Sequence, residues 1–167
     1  MLVSDSFPLA VDTGVLIALA AATGDWECLS ALERPIILPQ IVWDEVRRGP
    51  TNAPGATTPM ISRMAVWPEI IPIPQWLRES LGDGGEAAVI ALASGCGWPE
   101  VAIDERMGRA VAQKRGLRLT GSLGLLVRAK KNGYPIKLSE AIERMRRVNV
   151  RVGADVEREV LRLANES

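Results

Sequence analysis

Four carboxylates, Asp12, Glu45, Glu86 and Asp104, have the types and positions needed for metal-assisted chemistry. Asp12 closes the short apolar run Pro8-Leu9-Ala10-Val11 and precedes the helix-like Thr13-Gly14-Val15-Leu16-Ile17-Ala18-Leu19. Asp104 closes Glu100-Val101-Ala102-Ile103 and precedes Glu105-Arg106-Met107-Gly108-Arg109-Ala110-Val111. Both read as acids at the carboxyl ends of buried strands, the edge of an open α/β sheet at which ligands bind. Carboxylates gathered there repel one another unless a cation neutralises them. A cluster of oxygen donors suits Mg2+ or Mn2+.

Each acid taken alone also has a plain structural use. Asp12 and Asp104 can cap the helices that follow them, and Asp83 with Glu86 has the spacing of a capping box. Glu45 can be a solvated helix charge. Capping does not explain why two strand-end acids share one sheet edge. Glu86 falls in the first turn of a helix beside that edge, where the helix dipole stabilises a carboxylate that still faces a metal.

The elements that position these acids follow from hydrophobic periodicity. Strands are expected over 8–12, 35–38, 70–73, 100–103 and 118–120, and helices over 13–22, 25–33, 40–48, 84–94, 105–115, 122–131, 138–147 and 155–165. This alternation predicts an α/β fold of three layers, α/β/α, with a central parallel sheet of four or five strands. Gly95, Gly116 and Gly133 stand where helix C-terminal caps belong, and Ser122 and Ser139 where N-caps do. The segment 48–59 holds three prolines and two glycines and reads as a long loop, either a flap over a substrate or an ordinary surface connection. Residues 1–147 are expected to form the main domain, with 148–167 a helical appendage of it for dimer or partner contact.

Composition removes whole classes of chemistry. The chain of 167 residues contains no histidine. Histidine general bases, Ser-His-Asp and Cys-His triads and histidine-ligated zinc are thereby excluded. Cys28 and Cys96 lie in apolar helical patterns and read as buried, reduced thiols of a cytoplasmic protein. No apolar run is long enough to span a membrane. Met1-Leu2-Val3-Ser4-Asp5 lacks the basic start and apolar stretch of a secretory signal. The net charge is zero but segregated. Residues 1–105 carry 5 basic and 14 acidic side chains, whereas residues 106–151 carry 13 basic and 2 acidic. Such a basic stretch suits a polyanionic partner, although charges on solvated helix faces can also segregate. The five tryptophans are scattered, and packing is their commoner use over base stacking.

Several blocks in order resemble one known family. Val11-Asp12-Thr13 with Gly14-Val15-Leu16-Ile17-Ala18-Leu19 resembles the opening of PIN-domain nucleases, and Ile41-Val42-Trp43-Asp44-Glu45-Val46 resembles their next helix. Leu81-Gly82-Asp83-Gly84-Gly85-Glu86-Ala87-Ala88 is similar to the third block and Val101-Ala102-Ile103-Asp104-Glu105-Arg106 to the fourth. Leu119-Thr120-Gly121-Ser122-Leu123-Gly124-Leu125-Leu126 is similar to a little-characterised subgroup of predicted nucleic-acid-binding proteins.

The resemblance implies a PIN-like fold and a Mg2+- or Mn2+-dependent ribonuclease site, with Asp12, Glu45, Glu86 and Asp104 as both metal ligands and catalytic acids. It also implies RNA as substrate and a toxin role with a cognate antitoxin; a homodimer is expected from the C-terminal appendage. Two positions depart from the family pattern. Glu86 stands where aspartate is usual, which makes Asp83 a substitute ligand to consider. Ile103 replaces the hydroxyl residue usual before the fourth acid. These departures keep open a nucleic-acid-binding module without catalysis. Without histidine, the nucleophile is expected to be water activated by a divalent ion. Arg106 and Arg109 are three apart on one helix and suit phosphate oxygens. Thr13 and Ser122 offer hydroxyl contacts to substrate or cap their helices.

Overall fold

The computed structural model describes residues 6–166, so the segment Met1–Asp5 considered for a signal lies outside the described residues. Five three-residue strands form one sheet: β1 (Leu9–Val11), β2 (Ile36–Leu38), β3 (Met64–Val66), β4 (Glu100–Ala102) and β5 (Arg118–Thr120). The order is β3-β2-β1-β4-β5 and every pairing is parallel. Among the described residues, eight α-helices connect and cover them: α1 (Thr13–Thr23), α2 (Gln40–Arg47), α3 (Gln75–Leu81), α4 (Gly85–Cys96), α5 (Arg106–Lys114), α6 (Ser122–Lys131), α7 (Leu138–Arg147) and α8 (Ala154–Leu163). The expected α/β architecture and parallel sheet are therefore present.

The central strand is apolar throughout because both its faces are covered. Leu9, Ala10 and Val11 are each fully buried. After β1 the chain runs outward to β2 and β3, then returns to lay β4 on the other side of β1. The order reverses between β1 and β4, with Val11 opposite Ala102. That reversal opens a crevice at the carboxyl ends of these two strands; Asp12 directly follows β1, and Asp104 lies two residues beyond the end of β4.

Several local expectations are corrected. The strand expected over 70–73 does not form; β3 is Met64–Val66, and Ile70 is 97% exposed. Pro68, Pro72 and Pro74 flank and interrupt the isoleucines, and proline cannot donate to a ladder. Pro74 instead precedes α3, a helix not expected from the periodicity. The helix expected over 25–33 is a 3-10 helix over Glu27–Leu32, ended by Glu33 in a left-handed conformation at φ 56°. Trp26 enters the core just before it and donates its indole N–H to Leu16 O at 2.9 Å. Helix α4 runs past Gly95 and ends at Gly97, which has φ 70°. Cys28 is buried, and burial pushes its thiol up to about 12, but Cys96 is exposed; both are free.

The 48–59 loop is strapped down. Arg47 lies over the Trp43 ring at 4.0 Å and donates to the carbonyls of Gly55, Ala56 and Thr58. Gly55 adopts φ +86°, and a Cβ there would stand 3.0 Å from Val46 Cγ1 and 3.2 Å from Trp26 Cζ2. Trp43 packs on Trp26 at 6.0 Å and Trp67 on Trp98 at 5.8 Å, so these four tryptophans serve packing. At the amino ends of the strands, Glu100 is 2% exposed and takes Arg34 at 2.8 Å and Arg128 at 2.7 Å.

Helix α7 receives its N-terminal partner from far along the chain. Ser139 is not its cap. Glu166 accepts from the Leu138 amide at 2.6 Å, the Ser139 amide at 3.1 Å and Lys130 Nζ at 2.6 Å. Burial alone would raise the Glu166 carboxyl, but these donors outweigh it and bring it down to about 2. A depressed carboxyl contributes stability above its unfolded pKa and loses it as pH falls towards the folded value. Glu166→Gln is expected to cost about 2 kcal/mol at neutral pH. In urea titrations the gap between variant and parent should shrink steadily between about pH 5 and pH 3. A gap independent of pH would remove the carboxylate from this role.

Candidate active site at the carboxyl edge of the sheet

Asp12 sits at the start of α1 and is 3% exposed. Its side chain makes no capping bond to α1, so the simple cap does not account for it. Its amide donates to Ala102 O at 3.0 Å, which ties it to the end of β4. Burial is the main force raising its carboxyl, to about 7; the Thr13 amide works against this, and the charges of Glu86, Glu45 and Asp104 add to it. All four acids therefore share one electrostatic neighbourhood.

Glu45 is not a solvated helix charge. It reaches from α2 across the crevice, accepting from Thr13 Oγ1 at 2.5 Å and from the Gly85 amide at 3.0 Å. It thereby satisfies the first amide of α4, where a carboxylate is favoured by the helix dipole. The Asp83–Glu86 capping box does not form: Gly84 is the N-cap and Asp83 is exposed. Glu86 lies in the first turn of α4, half-buried, and its carboxyl is raised by burial, then by Glu105 and Glu45.

Asp104 does not cap α5 either. Glu105 does so, accepting from the Gly108 amide at 2.8 Å. Asp104 is released to accept from the Ser122 amide at 2.8 Å, at the start of α6. Ser122 is thus the first residue of α6, after Gly121, rather than its cap. Arg109 Nη1 donates to Ile103 O at 2.6 Å and Thr120 O at 3.2 Å, joining the ends of β4 and β5. Arg106 is exposed on the same helix.

Glycines make room for this crowding. A Cβ on Gly85 would stand 2.8 Å from Asp12 Oδ1, 3.0 Å from Glu45 Oε2 and 3.0 Å from Thr13 Oγ1. On Gly108 it would lie 3.0 Å from Ile103 Cγ2 and 3.4 Å from Glu86 Cγ, and on Gly121 it would overlap Asp104 Oδ1. Gly85 and Glu105 are the site residues that sequence reasoning did not single out. The Gly84-Gly85 pair opening a helix was the available signal for the first.

Among the described residues, none of these five acids makes an ion pair. As the side chains stand, no group of three described acids is arranged as a ready-made ion cage. The donor set nonetheless fits a hard divalent cation: carboxylate oxygens, a neighbouring hydroxyl and negative charge without a protein counter-ion. A divalent ion bound here would be held by carboxylates drawn from Asp12, Glu45, Glu86 and Asp104.

A family model described as a PIN domain matches residues 8–166. No curated protein and no solved structure matches the chain.

Two outcomes are expected. Gly85→Ala should destabilise the protein by about 1–3 kcal/mol, because its Cβ collides with Asp12 and Glu45. Gly95→Ala, with nothing within 4 Å of its added carbon, should be neutral or slightly stabilising. Equal denaturation midpoints for the two would refute the close approach. Secondly, a raised carboxyl contributes stability that is complete below the unfolded pKa and lost as pH rises through the folded one. In chelator, the protein should therefore weaken between about pH 4 and pH 7, and Asp12→Asn should flatten that slope and stabilise on the order of 2 kcal/mol at pH 8. An unaltered slope in Asp12→Asn would locate the titration elsewhere.

Proposed function

The chain belongs to the PIN-domain family, a nuclease family, and on that footing we propose that it is a Mg2+- or Mn2+-dependent endoribonuclease. The observation that carries this reading is the convergence of Asp12, Glu45 and Thr13 around Gly85, with Glu86 and Asp104 near enough to raise Asp12 and with no ion pair to these acids among the described residues. A bound divalent ion would activate water and stabilise the leaving oxygen of a phosphodiester.

The residues divide the remaining work. Glu45, fixed by Thr13 and Gly85, orients one side of the crevice. Asp104, fixed by Ser122, orients the other. Asp12 between them supplies buried negative charge. Arg109 secures the strand ends through one nitrogen, and Arg106 is free to approach phosphate. RNA as substrate is supported by the basic stretch that starts at Arg106, directly after the acidic crevice. The toxin role and cognate antitoxin rest on the resemblance, and the homodimer on the C-terminal appendage. No helix among the described residues is long and apolar enough to cross a membrane.

A second reading has its own support. Ile103 in place of a hydroxyl residue, and acids not arranged as a cage, favour a module that binds nucleic acid without cutting it. Purified protein with Mn2+ decides between them. Cleavage should leave 5′-phosphate and 3′-hydroxyl ends, and chelator should stop it. Asp12→Asn and Asp104→Asn should each cost nearly as much as the double variant, because the acids act as a unit. Products ending in 2′,3′-cyclic phosphate would overturn the water mechanism. Binding of RNA without any cleavage would favour the second reading.

A further inference from the structure

A groove of about 670 Å³ opens directly off the candidate site. Asp104 and Ser122 line it, and its far wall is the strap Val150–Gly153 between α7 and α8, with Val156 from α8. A second depression of about 720 Å³ shares that strap and adds Arg146 and Asn149. Both hollows border the strap, and the first also reaches the acids. Its walls are mixed. Leu123, Val152 and Val156 are apolar, and Val156 is 51% exposed although it faces a concave surface. Arg146 is already paired with Glu157 at 2.5 Å. Arg151 is exposed, lines both hollows and makes no hydrogen bond or ion pair among the described residues.

We propose that this groove is a nucleotide subsite: it holds an unpaired RNA nucleotide adjacent to the scissile phosphate, with Arg151 on that nucleotide's phosphate and Leu123, Val152 and Val156 against its base or ribose. This rests on the nuclease reading for the direction of the strand. The volume lies in the range of sites for single small ligands. A duplex, whose bases are stacked inside it, cannot place one in such a hollow, whereas a splayed single strand can. An acidic peptide matches Arg151 but meets Asp104 and Glu105 along the same groove; a strand whose phosphate is held with a cation at the acids does not. The segment 150–160 then has a binding task.

The test uses the full chain with Ca2+, an oxygen-ligated cation that keeps the acids neutralised, and fluorescence anisotropy of labelled octa-uridylate over a salt series, with gels confirming that the RNA stays uncut. The single strand should bind more tightly than an RNA duplex of equal length. Arg151→Ala should weaken it roughly five- to tenfold and lower the salt slope by about 0.7, the value of one phosphate on a single strand. Arg151→Lys should retain most of the affinity, and Val156→Asp should lose it. Both positions are exposed, so the fold should survive, as checked by circular dichroism. Unchanged affinity and slope in Arg151→Ala, equal binding of duplex, or no binding at low salt each overturns the subsite. Arg151-dependent binding of polyglutamate as tight as that of RNA would assign the groove to an acidic protein instead. Cleavage with Mn2+ separates the two readings. Undiminished cleavage by Arg151→Ala removes the subsite and leaves the nuclease, whereas Arg151-dependent binding without cleavage keeps the subsite and removes the nuclease.

Discussion

Negative charge confined beside a buried strand end is the condition to which the rest of the molecule is fitted. Asp12 is almost wholly enclosed, and three further acids press on it. Among the described residues, the repulsion is met without an ion pair to any of these acids. It is met by helix starts: α4 offers Gly85 to Glu45, and α6 offers Ser122 to Asp104. Each contact satisfies an amide that a helix leaves open and sets a carboxylate against a positive dipole end. The strand order makes this possible by setting β1 beside β4, and the glycines at 85, 108 and 121 remove the carbons that would block it.

The opposite edge of the sheet shows how the same chain treats a buried acid that has no further partner to find. Glu100 is enclosed to a similar degree, yet Arg34 and Arg128 both reach it. Burial would raise its carboxyl, but the hydrogen bonds and charges of Arg128 and Arg34 hold it below the usual range. Such a pair adds little net stability over an apolar substitute but is costly to break. Two acids a few residues apart, Glu100 and Asp104, thus end in opposite states. One is neutralised within the protein and the other is left with only an amide.

Asp12 and Asp104 were legible because each ends an apolar run too short for a helix and begins a helical pattern. Helices α6 and α7 were legible for the same periodic reason, and their bounds match the expectation. What escaped was non-local. The isoleucines at 70–73 have stronger strand composition than Met64-Ala65-Val66, but a ladder needs N–H groups that the intervening prolines lack. Capping rules assign a helix start to the residue beside it, and here the acids arrive from elsewhere. Glu45 was legible as a ligand only as part of the four-acid pattern and otherwise read as a solvated charge, Asp83 read as a cap or substitute ligand, and Gly85 as nothing in particular. The long loop after α2 showed no sign in its composition of the Arg47 clasp that holds it.

Those borrowed caps also constrain the order in which the chain can assemble. Glu45 lies 40 residues from Gly85, Asp104 lies 18 from Ser122, and Glu166 lies 28 from Leu138. None of these bonds can form while its helix is an isolated stretch of chain. Closing such separations costs entropy before any contact returns it. The first turns of α4 and α6 therefore gain these partners only where the sheet brings distant segments to one edge, and that of α7 only where the chain end beyond α8 returns to it. The acids of the crevice are thus held by the assembled fold and not by the helices they touch.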